Sequence, residues 1–347
     1  MNLKLFCECN FFSEKFNESL NFKLNQKELV VKKYNDNKAS FEKKDVEYRC
    51  IWKKQPQWND LFPTLIIPIR NNTKLLSITV ENLKKNGITR KANIIIVDDR
   101  SEEGVEKIVL DNNLSYLRVD NEKGFNFSML NNIAAKICYT MGVKEIVLWN
   151  SDLWCASGEY FDILLKKHRK SLSKISGSKL VYPPADMSLN GNIDTDNIKT
   201  AFPAMMGQKW RETIQFGGPS WIFTPQSPIK ISPIHYKRFA SPDDCRVNCD
   251  RGVSFITGAL HIWDLKYFIK IGGLNPSLSR NFQDVDICLR ACIMGEIPMY
   301  FGKDIFFYHD ESANFHNNKE AKHNHQMMSD HILFSKLWNE KVSGVVF

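Results

Sequence analysis

Three short apolar runs constrain this chain more than any other feature. They are Thr64-Leu65-Ile66-Ile67-Pro68-Ile69, Asn93-Ile94-Ile95-Ile96-Val97 and Glu145-Ile146-Val147-Leu148-Trp149. Each is too short for a buried helix, rich in β-branched residues and unbroken by polar ones, which is the pattern of a strand covered on both faces. Segments of helical periodicity lie between them. Lys74 to Lys85 follows the first run, and a second helix follows Asp98-Asp99-Arg100-Ser101 and ends near Asn112. A strand at Leu114 to Val119 and a helix at Phe127 to Met141 complete the series, before the third run ends in Asn150-Ser151-Asp152. Strands alternating with helices at this spacing predict an α/β fold: a mostly parallel central sheet, Rossmann-like, flanked by helices. The 347 residues suffice for one large domain or two medium ones.

In sheets of this kind, ligands bind beyond the carboxyl ends of the strands. Arg70, Asp98, Asp99 and Asp152 all fall there. So many carboxylates in one crevice call for a cation or a hydrogen-bonding ligand. Neither G-x-G-x-x-G nor G-x-x-x-x-G-K-[ST] follows the first strand, which disfavours a dinucleotide site or a phosphate-cradling loop.

A hydrophobic content of 43% excludes a disordered chain. The 47 Lys and Arg against 39 Asp and Glu, a formal charge of +8, favour anionic partners. Basic and acidic residues are interleaved and no nucleic-acid motif occurs, so nucleic acid is not expected among those partners. The nine scattered cysteines predict reduced thiols and a cytoplasmic protein. A four-cysteine zinc site is disfavoured, because Cys288 and Cys292 sit four apart on a helix. No apolar stretch is long enough to cross a bilayer, and residues 1–10 lack the features of a secretory signal, so the expected location is cytoplasmic or peripheral at the membrane surface.

The second half predicts strands at Ser176 to Tyr182, Thr213 to Gly218 and Ser254 to Trp263, with Thr257-Gly258-Ala259 as a place of close approach. A short helix over Asp264 to Lys270 and the turn Gly272-Gly273 precede a helix opening on Phe282-Gln283-Asp284-Val285-Asp286. Carboxylates in a first helical turn are stabilised by the free N–H groups there, so on position alone Asp284 and Asp286 need no ligand.

These segments resemble family 2 of the glycosyltransferases, the inverting nucleotide-sugar enzymes with the GT-A fold, over about residues 61 to 312. The matching pieces occur in family order. They are Ile67-Pro68, Val97 to Ser101, Phe125 to Ser128 with Asn131-Asn132, and Leu148 to Asp152. Ile214 to Gly218, Thr257-Gly258-Ala259 with Gly272-Gly273, Gln283 to Asp286 with Leu289-Arg290, and Tyr308 to Ser312 follow. The similarity is closest to the bacterial-type branch that builds rhamnose-containing and other surface polysaccharides.

The resemblance implies transfer of a sugar from a UDP- or dTDP-sugar to a saccharide or lipid-linked glycan, with a divalent cation, Mn²⁺ or Mg²⁺. It assigns Asp284 as general base and Asp152 and His309 as metal ligands. Pro68, Arg70, Asp98, Asp99, Asn131, Ser151 and Asp152 would line the donor site, Asp99 contacting the nucleoside while one of the Asp98/Asp99 pair caps the next helix. Trp221 and Gln283 would face the acceptor, and Asp286 would orient the loop or contact the acceptor, with Arg290 in reach of it. Two departures from the family pattern stand out: Asn150 replaces the first Asp of D-x-D, and Gln283 stands where relatives carry Glu or Asn. They motivate the alternative of a catalytically silent domain that binds a glycan or a partner.

Four parts are thus expected. Residues 1–60 are an N-terminal extension of unassigned role, 61–185 the nucleotide-sugar half, 186–312 the acceptor and catalytic half, and 313–347 a helical tail. The tail is expected to pack back on the catalytic domain, with a peripheral membrane contact as the functional alternative.

Overall fold

The computed structural model describes residues 19–35, 38–102, 104–120, 124–187, 210–224, 226–227, 230–311 and 321–339. The elements in chain order are β1 (Ser19–Asn35), β2 (Lys38–Lys53), β3 (Thr64–Ile69), α1 (Thr73–Lys85), β4 (Asn93–Asp98), α2 (Val105–Asp111), β5 (Ser115–Asp120) and α3 (Phe127–Thr140). Next come β6 (Glu145–Trp149), β7 (Leu153–Cys155), α4 (Gly158–Ser171), β8 (Ile175–Ser178), β9 (Leu180–Val181), β10 (Ile214–Phe216), β11 (Pro219–Phe223) and β12 (Ile231–His235). The last are β13 (Asp250–Gly252), β14 (Leu260–Asp264), α5 (Leu265–Lys270), α6 (Gln283–Ile293), β15 (Met299–Phe301), β16 (Phe307–His309) and α7 (Ala321–Trp338).

A ten-stranded sheet in the order β1-β2-β5-β4-β3-β6-β14-β8-β15-β13 carries the molecule. Its centre is the parallel set β5, β4, β3 and β6, of which β3 and β4 are buried from end to end as their composition requires. Only β2, β14 and β13 run against the common direction. Helices α1 to α4 pack on the strands. Asn72 and Asn126 cap α1 and α3, accepting from Leu75 N and Met129 N, and Ser157 accepts from Glu159 N at the start of α4. A second sheet, β10-β9-β16-β7, and the hairpin β11-β12 lie beyond the central strands in sequence.

Strand order reverses at β3, which has β4 on one side and β6 on the other. Pairing with β6 covers only Thr64 to Ile66, whereas pairing with β4 continues to Ile69. The two strands therefore part just before Pro68. A proline without an N–H is tolerated there because β6 no longer asks for that bond. The parting opens the crevice that such a reversal point offers a ligand.

Three expectations are modified. The run from Ser176 to Tyr182 is two strands in two sheets, since the chain changes sheet at Lys179, whose buried amine is held by Pro242 O and Asn248 Oδ1. The segment Ser254 to Trp263 is strand only from Leu260 onward. Its first part is an irregular loop held by the buried His261, whose Nε2 meets Ile256 O at 2.6 Å. Thirdly, β2 pairs with β5 through Arg49 to Lys53, and Tyr48, Cys50 and Trp52 lie in the same core as the parallel strands. Residues 1–18 of the extension, Cys7 and Cys9 among them, are outside the described residues. The described cysteines are free thiols. No described helix is long and apolar enough to cross a membrane.

Candidate active site

The loops after β3 and β4 interlock. Ser101 Oγ accepts from Asn71 N, and Asn71 Oδ1 accepts from Glu102 N, each at 2.9 Å. Asp98 is absorbed by this structure: Oδ1 takes Ser101 N at 2.8 Å, and Oδ2 takes Tyr116 Oη at 2.7 Å with Arg118 at 3.5 Å. Asp99 is arranged differently. It is fully buried, Oδ2 accepts from Arg70 Nη1 at 3.1 Å, and Oδ1 has no partner. Burial pushes its carboxyl up to about 6 against the pull of Arg70. Asp98 thus builds the turn, while Asp99 keeps one oxygen without a partner; neither caps α2, whose N-cap is Gly104.

Beyond β6, Asp152 meets His309 at the end of β16. Antiparallel pairing of β16 with β7 sets His309 opposite Leu153 and brings its Nε2 to 3.3 Å from Asp152 Oδ1. The approach is at ion-pair distance without hydrogen-bond alignment, and Asp152 Oδ1 and both His309 ring nitrogens have no hydrogen-bond partner. Burial lowers the affinity of His309 for a proton, the Asp152 carboxylate raises it, and the balance lies above the ordinary imidazole value. A buried carboxylate oxygen and an imidazole nitrogen side by side, both short of partners, fit two ligands of a divalent cation. Among the described residues no cluster of three or more His, Cys, Asp or Glu is poised for a metal. Ser151 supplies its carbonyl to Thr79 Oγ1, which in turn accepts from Trp154 Nε1 at 3.0 Å.

Asp284 opens α6 after Phe282, which adopts φ 62°. Gly258 N donates to Oδ2 at 2.6 Å and Val285 N to Oδ1 at 2.8 Å, and burial still raises the carboxyl above its ordinary value. The loop bearing Gly258 is fixed to the strand-end region through Asn150 N, which donates to Ala259 O at 3.0 Å. This bond ties Asp284 to the Asn150-Ser151-Asp152 turn. A Cβ on Gly258 would lie 3.3 Å from both Cβ and Oδ2 of Asp284. Gly258→Ala is therefore expected to displace the carboxylate by a few tenths of an ångström and lower turnover about tenfold with little change in melting temperature, read by steady-state kinetics beside a thermal melt.

The remaining expected site residues are distributed unevenly. Gln283 is buried with Oε1 unpartnered. Asn131 is fully buried one turn into α3; its Nδ2 donates to Phe127 O, and Oδ1 has no partner. Trp221 on β11 donates Nε1 to Ser254 Oγ at 3.1 Å and sets its ring edgewise on Phe255. Asp286 departs from expectation. It is 3% exposed, and its oxygens accept from Arg290 Nε at 2.9 Å and Trp338 Nε1 at 3.0 Å, so it joins α6 to α7. The pairing with Arg290 is as anticipated. Ser312, the stretch 188–209 and His316 lie outside the described residues, as do the side chains of His323 and His325.

Several further groups were given no role from the sequence. Gln215 on β10 is 1% exposed with Oε1 unpartnered, and its carbonyl accepts from His235 Nδ1 at 2.9 Å. Burial holds the His235 imidazole below its ordinary value, so it is neutral, with Nε2 as the acceptor nitrogen. From the tail, Asp330 and Trp338 reach the residues around Asp284, a connection only the packed chain makes.

No family model matches the chain. The uncharacterized protein y4gI of Sinorhizobium fredii is 22% identical over 284 residues, 79% of this chain and 27% of that protein, so the chain spans little more than a quarter of the curated relative it matches. Among solved structures, GalNAc-T7 with UDP, GalNAc and Mn²⁺ aligns over 73% of this chain and 44% of its own, with a TM-score of 0.50 at 14% identity. Mannosyltransferase PcManGT from Pyrobaculum calidifontis, in complex with GDP-Man and Mn²⁺, aligns over 82% and 68% with a TM-score of 0.46 at 13% identity. At such identity the likeness to the first structure is one of fold, and the architecture is the expected GT-A one.

Proposed function

We propose that this chain is an inverting glycosyltransferase of family 2 that moves a sugar from a nucleoside-diphosphate donor, UDP- or dTDP-linked, to a saccharide or lipid-linked glycan. The observation that carries the reading is the set of unsatisfied groups around one crevice at the strand ends. Asp99 offers an open acceptor after β4, Asp152 and His309 face each other after β6 and β16, and the Gly258 loop that holds the Asp284 carboxylate is bonded to Asn150 of the Asp152 turn. A chain selected for stability alone would pair such groups. The Mn²⁺ and UDP named for GalNAc-T7 are consistent with this chemistry.

In this reading Asp99 Oδ1 accepts from an N–H of the base or a ribose hydroxyl, and Arg70 fixes its partner oxygen. Asp152 and His309 would hold the divalent cation, which when bound neutralises the charge that grows on the departing diphosphate. Gly258 N and Val285 N aim the Asp284 carboxylate. As the acceptor hydroxyl oxygen bonds to the anomeric carbon from the face opposite the diphosphate, its proton passes to Asp284 and the old C–O electron pair leaves with the phosphate. Burial raises the Asp284 carboxyl above its ordinary value, which makes it a better proton acceptor.

Thermal melts with UDP, dTDP, GDP and CDP, each with and without Mn²⁺, test the donor assignment. A nucleotide at a hundredfold excess over its Kd stabilises the folded chain by about 2.7 kcal/mol. One nucleotide that shifts the melt only with Mn²⁺ supports the reading. Binding without turnover across a panel of donor sugars would favour the silent-domain alternative, and no shift with any nucleotide would overturn the donor assignment and leave that alternative, a domain that binds a glycan or a partner.

A further inference from the structure

We infer that Arg280 is a phosphate-binding side chain of the nucleoside-diphosphate site, held there by the C-terminal helix α7. The inference rests on the donor reading above and adds a residue and a device that the strand-end motifs do not contain.

Arg280 sits in the turn that leads into α6, and that turn is fastened on two sides. Toward the sheet, Phe127 N donates to Ser279 O at 2.8 Å, Ser128 Oγ to Leu278 O at 2.6 Å and Asn126 Nδ2 to Pro276 O at 2.9 Å. Toward the tail, Asp330 of α7 is 2% exposed, and its Oδ2 accepts from Arg280 N at 2.7 Å and Asn281 N at 3.0 Å. Ser279 Oγ lies 3.4 Å from the same oxygen. A buried carboxylate turned entirely onto one turn's donors fixes that turn's backbone strongly.

The side chain is fixed as well. Gln326 Oε1 accepts Arg280 Nε at 2.8 Å, and the guanidinium stands 5.4 Å from the centre of the Phe125 ring, in the loop after β5. In that place it feels the charges of Arg70 after β3 and Asp99 after β4. Burial and the Arg70 charge both disfavour the Arg280 cation, and they outweigh Asp330 and Asp99. The charges of Arg70 and Arg280 thus both act on Asp99, which Arg70 holds at 3.1 Å and whose carboxyl burial pushes toward its neutral form. An anion arriving there relieves the crowding of cations, and a guanidinium fork matches the oxygens of a phosphate.

Calorimetric titration of the full chain tests this with UDP, dTDP, GDP and CDP and with the matching nucleosides, for wild type and Arg280→Ala, at fixed Mn²⁺. Arg280→Ala is expected to weaken the nucleoside diphosphate that wild type binds by about thirtyfold, and its nucleoside by less than about twofold. Asp330→Asn, which leaves Arg280 in place but loosens its turn, is expected to produce a smaller loss of the same selective kind. Equal losses for diphosphate and nucleoside, or no loss for either, would overturn the inference while leaving the donor reading intact. If wild type binds none of the four diphosphates, the donor reading falls and this inference with it. Should Arg280→Ala fail to fold, Arg280→Gln removes the charge while retaining polar length, and the same comparison decides.

Discussion

Asp284→Asn should abolish transfer while leaving the folded molecule and its nucleotide affinity intact. The amide oxygen can still accept from Gly258 N, which at 2.6 Å is the bond that places the side chain, but no carboxylate remains to take the acceptor's proton. Loss of a general base lowers turnover by about 10²- to 10⁴-fold, and the value here is expected near the middle, about a thousandfold. The sign of the accompanying stability change is informative. Burial raises the Asp284 carboxyl above its usual 3.8, so at neutral pH the native state carries a charge it disfavours more than the unfolded chain does. Removing that charge should leave the melting temperature unchanged or raise it. The same raised value sets the pH profile: kcat/KM falls as pH drops through the folded-state pKa, at a higher pH than an ordinary carboxylate would give. Full activity in Asp284→Asn would remove this residue from the role of base. A variant that loses activity and melting temperature together would mark Asp284 as a structural bracket for the Gly258 loop.

Asp152→Asn is expected to have the next largest effect. The carboxylate touches His309 at 3.3 Å, its Oδ1 has no hydrogen-bond partner, and only one aspartate is present in Asn150-Ser151-Asp152. The neutral amide should therefore cost at least about a hundredfold in turnover, as for other losses of charge stabilisation at a leaving group. It should also erase the dependence of nucleotide binding on Mn²⁺. His309→Gln should act in the same direction, and a chelator should bring wild type down to the level of either variant while doing nothing further to them. The check is a thermal melt with nucleotide, with and without Mn²⁺, beside the activity assay. Nucleotide binding that still requires Mn²⁺ in Asp152→Asn would show that the cation is held elsewhere. The one carboxylate and one imidazole make a weak cation site without the diphosphate, so metal and nucleotide should bind with positive coupling.

The parallel centre of the fold was legible because its signal is local. Thr64 to Ile69, Asn93 to Val97 and Glu145 to Trp149 are apolar along their whole length, and such runs form strands that need cover on both faces wherever they occur. Helices α1 and α3 were legible from their helical periodicity within one segment, and the structure adds their asparagine caps. The antiparallel entry of β14 between β6 and β8 was not, since nothing within Leu260 to Asp264 distinguishes a strand running one way from its reverse. Residues 254–259 read as strand from their composition. They are a loop because the buried His261 binds back to Ile256 and Gly258 must reach Asp284.

The candidate site divides in the same way. Residues directly after a strand, Arg70, Asp99 and Asp152, could be read from position alone, because every carboxyl end of the central strands opens on one crevice. Asp98 and Asp99 are adjacent and chemically identical in sequence. Only the reach of Tyr116 and Ser101 to Asp98 separates a turn-building carboxylate from one with an open oxygen. Asp286 looked as available as Asp284 until α7 brought Trp338 onto it.

The sequence by itself determined the α/β class, the strand-end positions and the order of the motifs, since each depends on residues within a dozen positions of one another. Only the tertiary structure decided which polar groups stay open. His309 faces Asp152 across 157 positions, Gly258 seats Asp284 across 26, and Asp330 fixes the turn of Arg280 from 50 positions away. Whether a buried carboxylate or imidazole is satisfied depends on donors delivered by distant segments, and no local pattern encodes that supply.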